Sequence, residues 1–329
     1  MIDFLYIGII IFGKYNYFCT FAGYFSFTKT HYPIIMKHCI FFLLYSFVFA
    51  TYAQELSLLD RLSAIKNGGK DFYAIDGYII TNENLNLPFD EKGFKKAYRK
   101  LKVTAQEATA NPRVLVDNYM VVKETDEGVQ SLYFVKNKAN NIALIYFTKL
   151  KNREPEVEEA LVNLIVENKI PEDKYAPTDA SSINFAGRTI PLMDDCYFTG
   201  INTVLCPYNG GMNWDIYRTL EDAQQAVADQ FAVNTQRKSV KPTQEEEVDV
   251  IFEEVPTKAK RVVFDLKGVT SLLAGMSGGK TLTVYYVAQV VRNRPVGCVM
   301  SFWNNDNINS NTGLPLLLSR VMRLKLTTI

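Results

Sequence analysis

The sequence predicts an α+β fold in which antiparallel hairpins and meanders alternate with amphipathic helices. Three observations predict it. Strand-like runs are separated by a few turn residues, too few for the crossover of a dozen or more that a parallel return needs. Three segments carry apolar residues at helical spacing behind good N-terminal signals. Helices and hairpin groups also come in blocks, without the strand-helix-strand alternation of a parallel sheet.

Taken in order, Leu58, Leu59, Leu62 and Ile65 fall on one helical face and Gly68-Gly69 stops that helix. Phe72 to Thr81 reads as one strand. Asp90 can cap a helix with Phe94, Ala97, Tyr98 and Leu101 inward and a basic outer face of Lys95, Lys96, Arg99, Lys100 and Lys102. That stripe suits an anionic partner or a membrane surface, although the near-neutral whole favours a solvated helix face. Val114 to Lys123, Ser131 to Lys136 and Ile142 to Lys149 form a three-stranded meander. Glu154 to Asn168 is a helix, with Pro155 near its first position and acidic residues at the positive end of its dipole.

Ser182 to Tyr217 reads as several short strands with glycine turns. Thr219-Leu220-Glu221-Asp222 opens a helix reaching about Val233, and polar Asn234 to Glu247 reads as a linker or long loop. Val248 to Glu253 pairs with Arg261 to Leu266, Thr281 to Val291 with Val296 to Trp303, and Pro315 opens a last helix carrying Leu316, Leu317, Val321 and Leu324. "Helix followed by hairpins" thus occurs twice, at Asp90 to Lys149 and Thr219 to Trp303, without residue-level self-similarity. The expected division is an N-terminal part over 54–175 and a C-terminal part over 176–329, separate or joined in one domain.

The first 53 residues are a different material. They hold 17 of the 40 Phe and Tyr residues, both His, and only three Lys and one Asp. Met36-Lys37-His38-Cys39 supplies a basic start, Ile40 to Ala50 an apolar run too short to span a bilayer, and Thr51-Tyr52-Ala53 small residues before Gln54. Residues 36–53 therefore read as a secretory signal and 1–35 as an upstream extension, or alternatively as a membrane anchor. The mature chain from Gln54 has a formal charge of −1 and no stable membrane span. It lacks the bulk basic field that holds a nucleic acid. Export brings envelope proteins and glycans within reach as partners.

A chain starting at Gln54 contains no histidine, which removes Ser-His-Asp and Cys-His catalysis and imidazole metal sites. Ala274 to Thr281 (AGMSGGKT) overlaps three signatures. A phosphate loop or a nucleophile elbow requires a following helix, whereas LTVYYVAQVV reads as a strand. Ser277 with Lys280 remains as a serine nucleophile and lysine base. Cys196 and Cys206 lie symmetrically about Ile201, so a hairpin there sets them opposite each other for a disulfide. Cys298 is then a buried, inert thiol. Asp194-Asp195 point apart on a strand or lie in a loop, and Asn304 to Gly313 offers oxygen ligands with only Asp306 ionised, a plain turn more than a calcium loop. No cofactor or metal is expected. Tyr208, Trp214 and Tyr217, around Gly210-Gly211, are candidates for a recognition surface.

The function these readings favour is an exported, soluble protein with a non-catalytic binding or structural role in the cell envelope. The alternatives are a serine hydrolase or acyl-transferase using Ser277 and Lys280, and a membrane-tethered assembly factor.

Overall fold

Two large, mainly antiparallel sheets, each packed on both faces, carry the chain in a computed structural model. It describes residues 56–125, 128–179, 181–237, 239–267 and 279–325. The signal-like segment, the residues before it and Ser277 lie outside the described residues. Those described belong to one compact unit, Glu55–Ile329. Among them no helix is long and apolar enough to cross a membrane.

A short helix α1 (Leu58–Arg61) leads into β1 (Ser63–Asn67), β2 (Lys70–Ile75) and β3 (Tyr78–Pro88). Helix α2 (Glu91–Leu101) and the meander β4 (Asn118–Thr125), β5 (Gly128–Lys136) and β6 (Asn141–Lys149) follow. Helix α3 (Pro155–Val166) and β7 (Tyr175–Ala176) complete this half. The strand order is β4-β5-β6-β3-β2-β1-β7, with only β7 parallel to its neighbour. Alternation along the strands feeds two layers. Leu132, Phe134, Ile142 and Leu144 face α2, whereas Tyr133, Val135, Ile145 and Phe147 pack with Val157, Leu161 and Val162 of α3.

The second half begins with the hairpin β8 (Ser182–Phe185) and β9 (Arg188–Pro191). It continues through β10 (Tyr197–Gly200), β11 (Thr203–Cys206), β12 (Gly210–Ile216), helix α4 (Leu220–Gln236) and the long strands β13 (Val240–Phe252), β14 (Val255–Leu266), β15 (Thr281–Val291) and β16 (Arg294–Trp303). Short β17 (Ile308–Asn309), β18 (Leu314–Pro315), α5 (Leu316–Ser319) and β19 (Met322–Leu324) close the chain. The sheet order is β10-β11-β12-β16-β15-β14-β13-β19. Val262, Phe264, Val284 and Tyr286 face Val227 and Phe231 of α4. The opposite face packs on the β8–β9 hairpin and α5 through Phe185, Trp214, Phe252, Tyr285 and Leu317.

The two halves follow one route. In each, a three-stranded meander leads through a helix into a second meander, and the last strands of the two meanders pair antiparallel, β3 with β6 and β12 with β16. The antiparallel α+β reading is therefore what the fold is.

Four local expectations are corrected. Only Leu58–Arg61 is helical, because Leu62 turns extended and Ser63–Asn67 pair with β2 across the Gly68-Gly69 turn. Phe72 to Thr81 is two strands, since Asp76 (φ 49°) and Gly77 (φ 78°) form a two-residue hairpin turn. The expected linker Asn234 to Glu247 is the end of α4 and half of β13, where Glu245, Glu246 and Glu247 stand opposite Val262, Arg261 and Lys260. Past Ser319 the last helix gives way to β19, which pairs with β13.

Candidate binding cleft on the basic helix

An open cleft of about 1060 Å³ lies between α2, the start of β4 and the turn at Ala105–Glu107. Local sequence builds it. Asp90, extended at φ −144°, accepts the Gly93 N–H at 2.7 Å and so starts α2 at Glu91. Gly93 is required there: a Cβ would stand 1.9 Å from the Pro88 carbonyl oxygen. At the other end, Lys102 takes the left-handed conformation, and Lys123 Nζ donates to its carbonyl at 3.0 Å. Both ends of the helix are thereby fixed to the sheet.

So held, α2 lays Phe94 and Tyr98 one turn apart over β4 and β5. Phe94 meets Phe89 with ring centroids 4.8 Å apart and Tyr119 of β4 at 5.0 Å, and Tyr98 meets Phe134 at 5.0 Å. The rings near the rim are not sealed: Phe89 and Phe94 are half-buried and Tyr119 is 40% exposed. Above them, Lys92, Lys95, Lys96 and Arg99 are exposed. None of these four has a carboxylate within ion-pair distance among the described residues, whereas Lys100 stands 3.7 Å from Glu83. Asp90 and Glu91 also line the cleft, which leaves it two net positive charges, and an open aromatic floor under that excess accepts apolar groups and negative charge together.

A second polar cluster is structural. Glu158 of α3 is 1% exposed and accepts from Tyr78 (3.2 Å), Ser131 (3.0 Å), Tyr133 (3.0 Å) and Arg153 Nε (2.7 Å). At the junction of the two halves, the buried Arg61 guanidinium donates to Asp76 at 2.9 and 3.0 Å. Burial nevertheless raises the Asp76 carboxyl above its usual range. Asn202 Nδ2 spans Ser63 Oγ at 3.1 Å and the Asp215 carboxylate at 3.2 Å. Asp215 is half-buried, and burial of its carboxyl, with the nearby Asp76, pushes its pKa up to about 7.

The residues singled out from sequence do not converge on one site. Trp214 and Tyr217 are 3% exposed, Trp214 in the core with Phe185 and Tyr217 against Gly77 and Gly297, so neither offers a recognition surface; Tyr208 alone is exposed, at 59%. Lys280 is exposed, and its backbone N–H donates to Asn304 Oδ1 at 2.7 Å. Thr281 opens strand β15, so the segment after Lys280 lacks the helix a phosphate loop needs. Cys196 and Cys206 are bridged, with Cα atoms 4.1 Å apart. Cys298 is buried and its thiol is raised by that burial, which leaves it unreactive. Asp194 and Asp195 are exposed in a turn, and Asp306 accepts the Trp303 N–H at 3.0 Å within its own loop. Among the described residues no group of His, Cys, Asp or Glu is placed to hold a metal ion. The aromatic floor was missed from sequence because Phe94 and Tyr98 match a buried helix stripe, and nothing local in β4 ties Tyr119 to them.

No family model matches the sequence, and no curated protein is found similar to it. Among solved structures, the T6SS immunity protein TplEi from Pseudomonas aeruginosa, complexed with an "L" peptide, covers 81% of this chain and 99% of its own at 9% identity and a TM-score of 0.25. Its apo form gives 84%, 100%, 9% and 0.25. The Tle4–Tli4 complex matches over 82% of this chain and 99% of that one, at 10% identity and a TM-score of 0.24. At such scores these likenesses carry no inference about this chain.

Proposed function

We propose that the protein acts by binding, without catalysis of its own, and that its cleft over α2 takes an acidic segment of a partner protein that also carries apolar side chains. The observation that supports this is the pairing of four unpartnered cations, Lys92, Lys95, Lys96 and Arg99, with the half-open ring cluster of Phe89, Phe94 and Tyr119. Apolar contact on the rings supplies affinity, and the cations speed encounter and select for negative charge. Because the cations are exposed, their share weakens as salt shortens the Debye length to about 8 Å at physiological strength. A single-stranded nucleic acid also stacks on aromatics, but the whole chain carries a formal charge of only +1.

The Cys196–Cys206 bridge supports an oxidising compartment, in keeping with the signal-like residues 36–53. We place the protein's action outside the cytosol on that ground, with an envelope protein as the partner. A glycan partner draws no support from a rim in which cations outnumber carboxylates four to two.

The test is a fluorescence titration with a labelled peptide in which Glu alternates with Leu and Phe. Saturable binding is expected, with affinity lowered about 10-fold or more by Lys95→Glu with Lys96→Glu. Equal binding of a peptide with Lys in place of Glu, or tighter binding of an oligothymidine, contradicts the reading.

A further inference from the structure

We propose a second binding site, in the other half of the molecule, for a phosphate monoester. A polar pocket of about 390 Å³ lies between the β9 strand, the Glu253-Glu254 turn that joins β13 to β14, and the segment from Ser319 to Arg323. Four arginines line it: Arg188, Arg292, Arg320 and Arg323. Among the described residues the carboxylates that line it with them are Glu253 and Glu254.

The arrangement is organised around Glu253, whose side chain is 3% exposed. It accepts from Arg188 Nε at 3.0 Å and also from Arg188 Nη2 and Arg292 Nη1. Arg188 Nη2 further donates to the Arg320 carbonyl at 2.7 Å, and Arg292 to the carbonyls of Ala186 (3.0 Å) and Phe185 (2.7 Å). One buried carboxylate thus fixes two guanidiniums and neutralises one of them. These contacts leave both Nη1 hydrogens of Arg188 without a partner among the described residues.

The other two arginines are even less satisfied. Arg320 is exposed, with no ion-pair partner among the described residues, and Arg323 stands 3.7 Å from Glu254, whose side chain is 90% exposed. The pocket therefore carries two net positive charges, and two of its four guanidiniums are held in place by Glu253 and backbone carbonyls. That charge and supply of guanidinium donors suit a phosphate monoester dianion, which accepts several charge-assisted hydrogen bonds at once. Thr312 and Ser319 also line the wall, where their hydroxyls, 2.6 Å apart, are engaged with each other and with the Leu314 and Pro315 carbonyls. The same headgroup chemistry occurs in a soluble phosphate ester and in a phospholipid such as phosphatidic acid.

Isothermal titration with glycerol 3-phosphate, and sedimentation with phosphatidic acid vesicles, test the site on the intact protein. The expected result is saturable binding to one or both probes at low salt, weakened about 10-fold or more in Arg320→Ala with Arg323→Ala. That double variant removes exposed side chains and leaves the Glu253 cluster in place, so an unchanged melting temperature shows that folding is intact. Tighter binding to vesicles identifies the lipid as the source, and comparable binding to both identifies the ester itself. Absence of binding to either probe, or affinity unchanged in the double variant, overturns the site and leaves the α2 cleft unaffected.

Discussion

Phe94 of α2 and Tyr119 of β4 meet edge to face with ring centroids 5.0 Å apart, and that contact floors the cleft beneath the basic helix. The geometry adds roughly 1 kcal/mol beyond area burial when fully formed. Because Tyr119 is 40% exposed, its loss falls on binding more than on folding. Tyr119→Ala is expected to weaken the acidic peptide about 10-fold while lowering stability by about 1 kcal/mol or less, read by titration and urea unfolding. Unchanged affinity in this variant counts against the aromatic floor.

The Glu158 network should be among the costliest sites to break. Glu158→Ala strands the Arg153 guanidinium and three hydroxyls around a 1% exposed position, and is expected to cost about 3–5 kcal/mol in denaturant unfolding. Glu158→Gln keeps shape and one acceptor and should cost less. A loss below about 1 kcal/mol for the alanine variant refutes a structural role for this carboxylate.

Asp215 sets a pH dependence with a definite sign. Its folded pKa of about 7 lies above the ordinary carboxylate value of 3.8, so the unfolded chain ionises first. Its contribution to stability is then complete below pH 4 and is lost as pH rises toward 7. Asp76 and Arg61 lie across the same junction, and Asn202 donates to Asp215 from β10–β11. Asp215→Asn removes the charge and is expected to raise stability at pH 8 by about 1–3 kcal/mol and to flatten the decline between pH 4 and 7. Thermal melts across that range check it; a variant less stable at pH 8 shows that the ionised carboxylate is the favoured form.

The disulfide closes a loop with a sequence separation of 10 residues. Chain entropy over about 10 residues predicts that Cys196→Ala with Cys206→Ala costs about 2–3 kcal/mol. Differential scanning calorimetry should show a melting temperature lower by several degrees, and an unchanged one would mean that the bridge does not form in the protein as made.

Much of this was legible from local chemistry. The meander of β4 to β6, the proline-started α3 and the threonine-capped α4 were read correctly because capping residues and turn gaps act within a few positions of themselves. The Cys196–Cys206 pairing is legible in the symmetry of the two cysteines about Ile201 and in the signal-like residues 36–53, and the register that sets Tyr197 opposite Leu205 agrees with it. Misreadings arose where pairing is non-local. Leu62 and Ile65 fit a helix face equally well, and only hydrogen bonding to β2 makes them a strand. The charged start of β13 looks like a linker because its partners, Lys260 and Arg261, come after an intervening turn. The Asp76-Gly77 turn was a missed local signal. The cleft itself joins residues from α2, the Ala105–Ala108 turn and β4, and only the fold brings Tyr119 beneath the helix.

The central claim is tested most directly by hydrogen exchange of the intact chain with and without the acidic Glu-Leu-Phe peptide. Protection confined to Phe89–Arg99, the Ala105–Ala108 turn and the strand around Tyr119 is the predicted result. Protection elsewhere with these segments unchanged, or none at saturating peptide, contradicts it.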